Sequence, residues 1–360
     1  MLKINPGKIS GTIIAPSSKS ITHRAIFMSF LTHSKCKIKS PLLSADTLAS
    51  LNTISSFGAD CMVNYTGSEK FIEISSSEIA TPNRVINVLN SGTTLRFGTA
   101  LASLLDEPVI FDGDMSIRKR PMNPLLSTLK KMGAYIYTLQ NRGTAPLLIK
   151  GKINGRELSI PGNVSSQFIS AIIIIAPLLK NDTILKVTGS RVSWDYVLLT
   201  KKMVEDYGIY INGSDNIFHI YGNQHYHRKD YQVEGDYSSA AYFLLAGAIL
   251  NTKIRIKNLN PHTLQADKKF VDLLRACDVK IKIDLDSVTV DGENSSLKTG
   301  YMKFDLHSCP DILPVLSILS SRRVGITDIV NVQHAKFKES NRIKSSAELL
   351  RAFGVHVSEK

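Results

Sequence analysis

The chain has 360 residues, beyond the length at which a single hydrophobic core usually stops growing, so two domains are expected. Its 44 Lys and Arg against 31 Asp and Glu give a net charge of +13, which suits an anionic partner without choosing among nucleic acid, acidic lipid and a phosphorylated metabolite. The dispersed cysteines Cys36, Cys61, Cys277 and Cys309 argue against a zinc site or disulfide framework, no signal pattern opens the chain, and its most apolar stretch, 168–179, is too short to span a bilayer, so a soluble cytoplasmic protein is expected.

In chain order the elements repeat. An amphipathic helix, a turning residue and two short alternating strands recur in LASLNTISSFGADCMVNYTGSEKFIEIS, LLSTLKKMGAYIYTLQNRGTAPLLIK, LLTKKMVEDYGIYINGSDNIFHIYG, FVDLLRACDVKIKIDLDSVTVDG and AELLRAFGVHVSEK. The turning positions Gly58, Gly133, Gly208, Asp278 and Gly354 are separated by 75, 75, 70 and 76 residues. Each unit holds a second helix announced by small hydroxyl residues: IIAPSSKS (13–20), LNSGTTLRF (89–97), SIPGNVSSQF (159–168), QVEGDYSSAAYF (232–243) and DLHSCPDILP (305–314). Such residues cap helices, and a helix start is also an anion site. Five equivalent starts favour a repeated fold that gathers several of them around one ligand.

The alternation predicts an α/β or α+β fold built from repeats; no GxGxxG or GxxxxGK[ST] phosphate loop is present. The best domain boundary falls at HYHRKDYQVEGD, near 225–235, and strands before about residue 15 suit either half.

PSSKSITHRA (16–25) places Lys19, Ser20 and Arg24 at the first helix start, with Ser20 and Arg24 on one face. The string reads as an oxyanion receptor or as a capped helix with surface cations. In LNSGTTLRFGTA, Gly92 has no Cβ, so its backbone can approach a small ligand, though a glycine at a helix start also needs no ligand. SIRKRPMNPLL supplies Arg120, whose planar fork suits carboxylate and phosphate; Arg118 and Lys119 are expected as solvated surface charge. HSCPDILP puts Asp311 in a first helical turn, with Pro310 where Pro is favoured and Ser308 three residues earlier, also the pattern of a capping box. HAKFKESNRIKSS gathers Lys338, Glu339 and Arg342; this is a solvated face or, with Asp311, a source of the paired carboxylates used in acid-base chemistry.

In order, SKSxxxR, LNSGTTLRF, Arg120, the SSQ of NVSSQF, the PD of HSCPDILP and KESxR resemble the signatures of the 5-enolpyruvylshikimate-3-phosphate synthase family across essentially the whole chain. The resemblance implies two similar domains of βαβαββ units, the inside-out α/β barrel of the enolpyruvyl transferase fold, with five of six units present. These domains would be 15–231, and 1–14 with 232–360. It further implies that the 5-hydroxyl of shikimate 3-phosphate attacks C2 of phosphoenolpyruvate while C3 is protonated, after which phosphate leaves. Lys19, Ser20, Arg24, Ser165, Ser166, Gln167, Ser190, Asp311 and Lys338 would contact shikimate 3-phosphate. Lys19, Gly92, Thr93, Arg120, Gln167 and Arg342 would contact phosphoenolpyruvate, with Arg96 nearby. Asp311 would accept the hydroxyl proton, and Glu339 and Lys19 are candidates for proton delivery.

Two positions depart from the family pattern: Ser193 stands where Tyr is usual, and Asn341 where Asp is usual. No metal or organic cofactor, nucleic acid or membrane is implied, and a monomer is expected. The alternatives are a UDP-sugar enolpyruvyl transferase, an RNA-end-processing relative and an inactive fragment. The period also predicts a sixth unit of about 70 residues beyond Lys360, carrying a DHR motif and a late Lys by resemblance, without which turnover is expected to be negligible.

Overall fold

The computed structural model describes residue 7 and residues 9–67, 69–213, 215–228 and 230–359; the expectations for 1–6, 8 and 360 lie outside the described residues. The chain divides into two compact units, one of Ser17–Val233 with Phe337–Ser340, the other of Met1–Pro16, Glu234–Lys336 and Asn341–Lys360.

The larger unit repeats one pattern three times. Its helices are α1 (Lys19–Phe30), α2 (Ala45–Ser56), α3 (Gly92–Ala102), α4 (Asn123–Met132), α5 (Ser166–Ile175) and α6 (Asp195–Asp206). The strand β1 (Gly11–Ile14) precedes them and belongs to the smaller unit. The larger unit's strands are β2 (Cys36–Lys39), β3 (Asp60–Thr66), β4 (Glu69–Ser75), β5 (Ile86–Asn87), β6 (Val109–Asp112), β7 (Tyr135–Thr138), β8 (Leu147–Lys150), β9 (Glu157–Pro161), β10 (Thr183–Thr188), β11 (Ile211–Asn212), β12 (Ile217–Ile220) and β13 (Asp230–Gln232).

Three four-stranded sheets result, ordered β13-β2-β4-β3, β5-β6-β8-β7 and β9-β10-β12-β11. In each the first pair is parallel and the other two are antiparallel. The helices opened by hydroxyl-rich starts lie innermost: ten of the 12 residues of α1, ten of the 11 of α3 and nine of the ten of α5 are buried. A helix that is buried all round must pack against other elements on every side. Accordingly α3 meets α5, and α1 and α3 each meet α2. The amphipathic α4 and α6 keep one polar face, and strands such as β10 alternate buried and exposed side chains, one face inward.

The smaller unit contains α7 (Tyr237–Ile249), α8 (Lys269–Ala276), α9 (Leu313–Arg322) and α10 (Arg342–Ala352), with β14 (Lys253–Lys257), β15 (Lys280–Ile283), β16 (Ser287–Asp291), β17 (Met302–Asp305) and β18 (Thr327–Val330). Its sheet, β1-β14-β16-β15, has the same pattern as the other three, and β17 and β18 form a parallel pair. The strands preceding α1 and α7 are exchanged: β1 joins the sheet of the smaller unit, and β13 joins β2 in the larger one. The chain passes between the units at Pro16–Ser17 and Val233–Glu234, and again at Lys336–Phe337 and Ser340–Asn341.

All five turning positions have left-handed backbone, with φ of 99° at Gly58, 119° at Gly133, 84° at Gly208, 64° at Asp278 and 77° at Gly354. That conformation ends a helix and turns the chain, which is why Gly, or an Asx residue, recurs there. After Gly354 the repeat stops matching, because Val355–Glu359 forms no strand and no described strand pairs with it.

Candidate functional site

The hydroxyl-rich starts are not equivalent. Ser91 caps α3, accepting from Thr94 N at 3.3 Å, Ser165 caps α5, accepting from Gln167 N at 3.3 Å, and Asp236 caps α7. Ser18 at the start of α1 makes no cap bond, and its buried Oγ has no partner. The capping box suggested for Ser308 and Asp311 does not form. Residues Pro310–Ile312 make a 3-10 turn with no side-chain cap, and the Asp311 carboxylate instead takes Arg342 Nη1 at 2.6 Å. An ion pair removes the reason for Asp311 to serve backbone amides.

In the larger unit, Lys19 lies half-exposed beside Asp46, Nζ to Oδ2 at 3.1 Å. Arg24 is only 2% exposed and lies inside. Its Nε donates to Thr200 Oγ1 at 2.7 Å, Nη1 to the Ser20 carbonyl at 2.8 Å, and Nη2 to the Tyr196 carbonyl at 3.2 Å and Ser170 Oγ at 3.5 Å. Four of the five N–H donors of the guanidinium are thus committed to the protein. Arg24 therefore ties α1 to α5 and α6 and retains few free donors for the shikimate 3-phosphate contact that the resemblance implied for it. Burial lowers its pKa to about 10.

Two arginines meet over the first turn of α3. Arg96 Nη1 donates to Gln167 Oε1 at 2.5 Å, and Arg120 Nη2 donates to Asn90 Oδ1 at 2.8 Å. A Cβ at Gly92 would sit 2.5 Å from Arg120 Nη1 and 2.6 Å from Arg96 Nη1, so the two guanidiniums converge where the glycine leaves space. Both arginines are buried, and the Nε of each has no partner. Burial, then the like charge of Arg120, lowers the Arg96 pKa to about 9; the Glu339 carboxylate works in the opposite direction. Glu339 Oε1 stands 3.6 Å from Arg120 Nη2. Two converging buried guanidiniums, each with an unpartnered Nε and one of them paired with a half-exposed carboxylate, are an arrangement that can receive an anion.

Thr93, Ser165 and Gln167 are partly buried, and Ser166 is buried at the first turn of α5. Lys338 is half-buried in the Phe337–Ser340 segment, which belongs with the larger unit, whereas Asp311 and Arg342 belong to the smaller one. Ser190 is exposed after β10. Ser193 adopts φ of 52° and is buried, and the neighbouring Trp194 turns onto Phe218, ring centroids 5.8 Å apart. Asn341 caps α10 by accepting from Lys344 N at 3.2 Å, a task Asp would perform as well. Arg118 pairs with Asp112 in a two-donor bond, so it is tied to its own loop instead of being merely solvated.

Sequence reasoning missed Asp46, Asn90, Ser170 and Thr200. Asn90 stood inside a quoted motif; the others lie between 27 and 176 positions from their partners, and no local pattern marks them.

The family model for EPSP synthase (3-phosphoshikimate 1-carboxyvinyltransferase) matches residues 4–360. A 3-phosphoshikimate 1-carboxyvinyltransferase of Methanocaldococcus jannaschii is 38% identical over 355 residues, covering 98% of this chain and 82% of that one. Its counterpart in Methanosarcina mazei is 40% identical over 363 residues, covering 99% and 83%. The chain belongs to the EPSP synthase family. The solved EPSP synthase of Acinetobacter baumannii shares the fold, with a TM-score of 0.79 at 22% identity, covering 98% of this chain and 80% of that one. The chain spans about four fifths of the length of these relatives.

Proposed function

We propose that the protein transfers the enolpyruvyl group of phosphoenolpyruvate to the 5-hydroxyl of shikimate 3-phosphate, releasing phosphate, in the shikimate pathway to aromatic amino acids. The observation that carries this reading is the convergence of buried Arg96 and Arg120 over Gly92, in a chain of this family. Phosphoenolpyruvate is small and carries a phosphate and a carboxylate, the groups that paired guanidiniums hold.

In this reading Gly92, Thr93, Arg120, Gln167 and Arg342 hold phosphoenolpyruvate, with Arg96 beside them. Ser20, Ser165, Ser166, Gln167, Ser190, Asp311 and Lys338 hold shikimate 3-phosphate, and Arg24 contributes chiefly by its field and by fixing α1. Lys19 serves both substrates. Asp311 takes the proton of the 5-hydroxyl as its oxygen bonds to C2, and Glu339 or Lys19 delivers a proton to C3. In the second step C3 gives up a proton, the double bond re-forms and the C2–O bond to phosphate breaks. The cations offset the repulsion between two dianionic or trianionic substrates, which is strongest once water is excluded. The first three-unit domain, 15–231, is taken as the shikimate 3-phosphate side, and the protein as a cytoplasmic monomer. Among the described residues no helix is long and apolar enough to cross a membrane.

The test is phosphate release from phosphoenolpyruvate. Release should require shikimate 3-phosphate; equal release with a UDP-sugar acceptor would overturn the assignment.

A further inference from the structure

A line of buried polar side chains crosses three helices behind the anion receptor. His23 Nδ1 on α1 lies 2.8 Å from Ser50 Oγ on α2, and Ser50 Oγ lies 2.7 Å from Thr94 Oγ1 on α3. Thr94 Oγ1 lies 2.6 Å from Ser91 Oγ, the cap of α3, and 3.4 Å from the Asp46 carbonyl. All four side chains are 1% exposed or less, where hydrophobic residues would ordinarily fill the space between helices. Buried polar groups that satisfy one another fix a single register, since any slip strands a donor or acceptor away from water. The register fixed here is that of the first turn of α3, which carries Gly92 beneath the guanidiniums of Arg96 and Arg120. The same line touches the backbone of Asp46, whose carboxylate holds Lys19.

We propose that His23 is a positioning residue for the phosphoenolpyruvate pocket, acting through Ser50 and Thr94 on the cap Ser91 and hence on Gly92. The proposal rests on the function assigned above to that pocket. His23 touches no reacting group; its contribution is to hold α3 at the depth where two guanidiniums and a bare glycine meet one anion. Its imidazole is kept neutral by burial and by the charges of Lys19 and Arg24. A neutral ring joins the hydroxyls as donor or acceptor, whereas a cation would be confined to donating.

Three variants test it. His23→Leu removes the ring nitrogen, Thr94→Val removes the central hydroxyl at nearly constant shape, and His23→Asn places an amide atom at the topological position of Nδ1. Calorimetry of phosphoenolpyruvate with shikimate 3-phosphate present should show His23→Leu and Thr94→Val each weakening affinity about tenfold, as stranding a buried polar group does. His23→Asn should stay within about threefold of wild type, and shikimate 3-phosphate alone should bind Thr94→Val within about twofold of wild type. The two losses should not add in the double variant. Deuterium exchange over residues 88–97 should quicken in both disrupting variants by more than exchange in the α5 and α6 helices does.

Unchanged affinity and unchanged exchange in both disrupting variants would overturn the proposal. So would an Asn variant as weak as the Leu variant with equal losses for both substrates, because that pattern belongs to general packing. Wild-type protein that binds no phosphoenolpyruvate would instead refute the proposed function, and exchange over 88–97 would then decide the role of His23. If His23→Leu fails to fold, Thr94→Val and His23→Asn carry the comparison.

Discussion

Replacing Gly92 by Ala puts one methyl group into the anion receptor. Its Cβ would stand 2.5 Å from Arg120 Nη1 and 2.6 Å from Arg96 Nη1, where ordinary contact begins near 3.4 Å, so the guanidiniums must retreat by 0.9 and 0.8 Å. Both are the far ends of flexible side chains, but each is buried and tethered, Arg120 to Asn90 at 2.8 Å and Arg96 to Gln167 at 2.5 Å. A retreat of that size takes them out of line with an anion over the α3 start. Losing one charge-assisted bond, at about 1.5–3 kcal/mol, weakens phosphoenolpyruvate binding by about one to two decades. Gly92 does not have left-handed backbone, and Ala suits a helix better by about 0.5–1 kcal/mol, so the fold should survive. The check is the phosphoenolpyruvate KM or Kd at saturating shikimate 3-phosphate, beside a thermal melt. A phosphoenolpyruvate constant within twofold of wild type would refute the reasoning, as would an equal rise in the constant for shikimate 3-phosphate.

Asp311→Asn keeps the size of the side chain but removes the proposed base, so turnover should fall by about two to four decades while both substrates still bind; unfolding with normal residual specific activity would point to a structural role. Arg24→Lys exchanges a fork with four protein bonds for a single ammonium, and urea unfolding should show about 2–4 kcal/mol lost, since buried acceptors on α5 and α6 are stranded. His23 is depressed from 6.5 to about 3, so the unfolded chain binds the extra proton first and acidification through pH 6.5 toward 3 favours unfolding, at up to about 1.4 kcal/mol per pH unit. His23→Asn should flatten that part of the stability profile in chemical denaturation.

The amino-acid sequence by itself determined the period of the fold. Gly58, Gly133, Gly208, Asp278 and Gly354 could be recognised as turning positions because left-handed backbone excludes most residues, leaving a local chemical signature. The helix starts were equally legible from their Ser, Thr and Gly, and Gly92 and Arg120 from their motifs. Tertiary structure alone decided which start is capped and which stays open: Ser91 and Ser165 have the same chemistry as Ser18, yet only the first two cap. It also turned Arg24 inward onto Thr200, 176 positions away, and exchanged β1 with β13 between the two units' sheets. Capping, pairing and burial of this kind depend on which side chain from another repeat reaches the site. A local pattern holds no record of that neighbour, because the contact is selected by packing the whole core and not by the residues on either side in sequence.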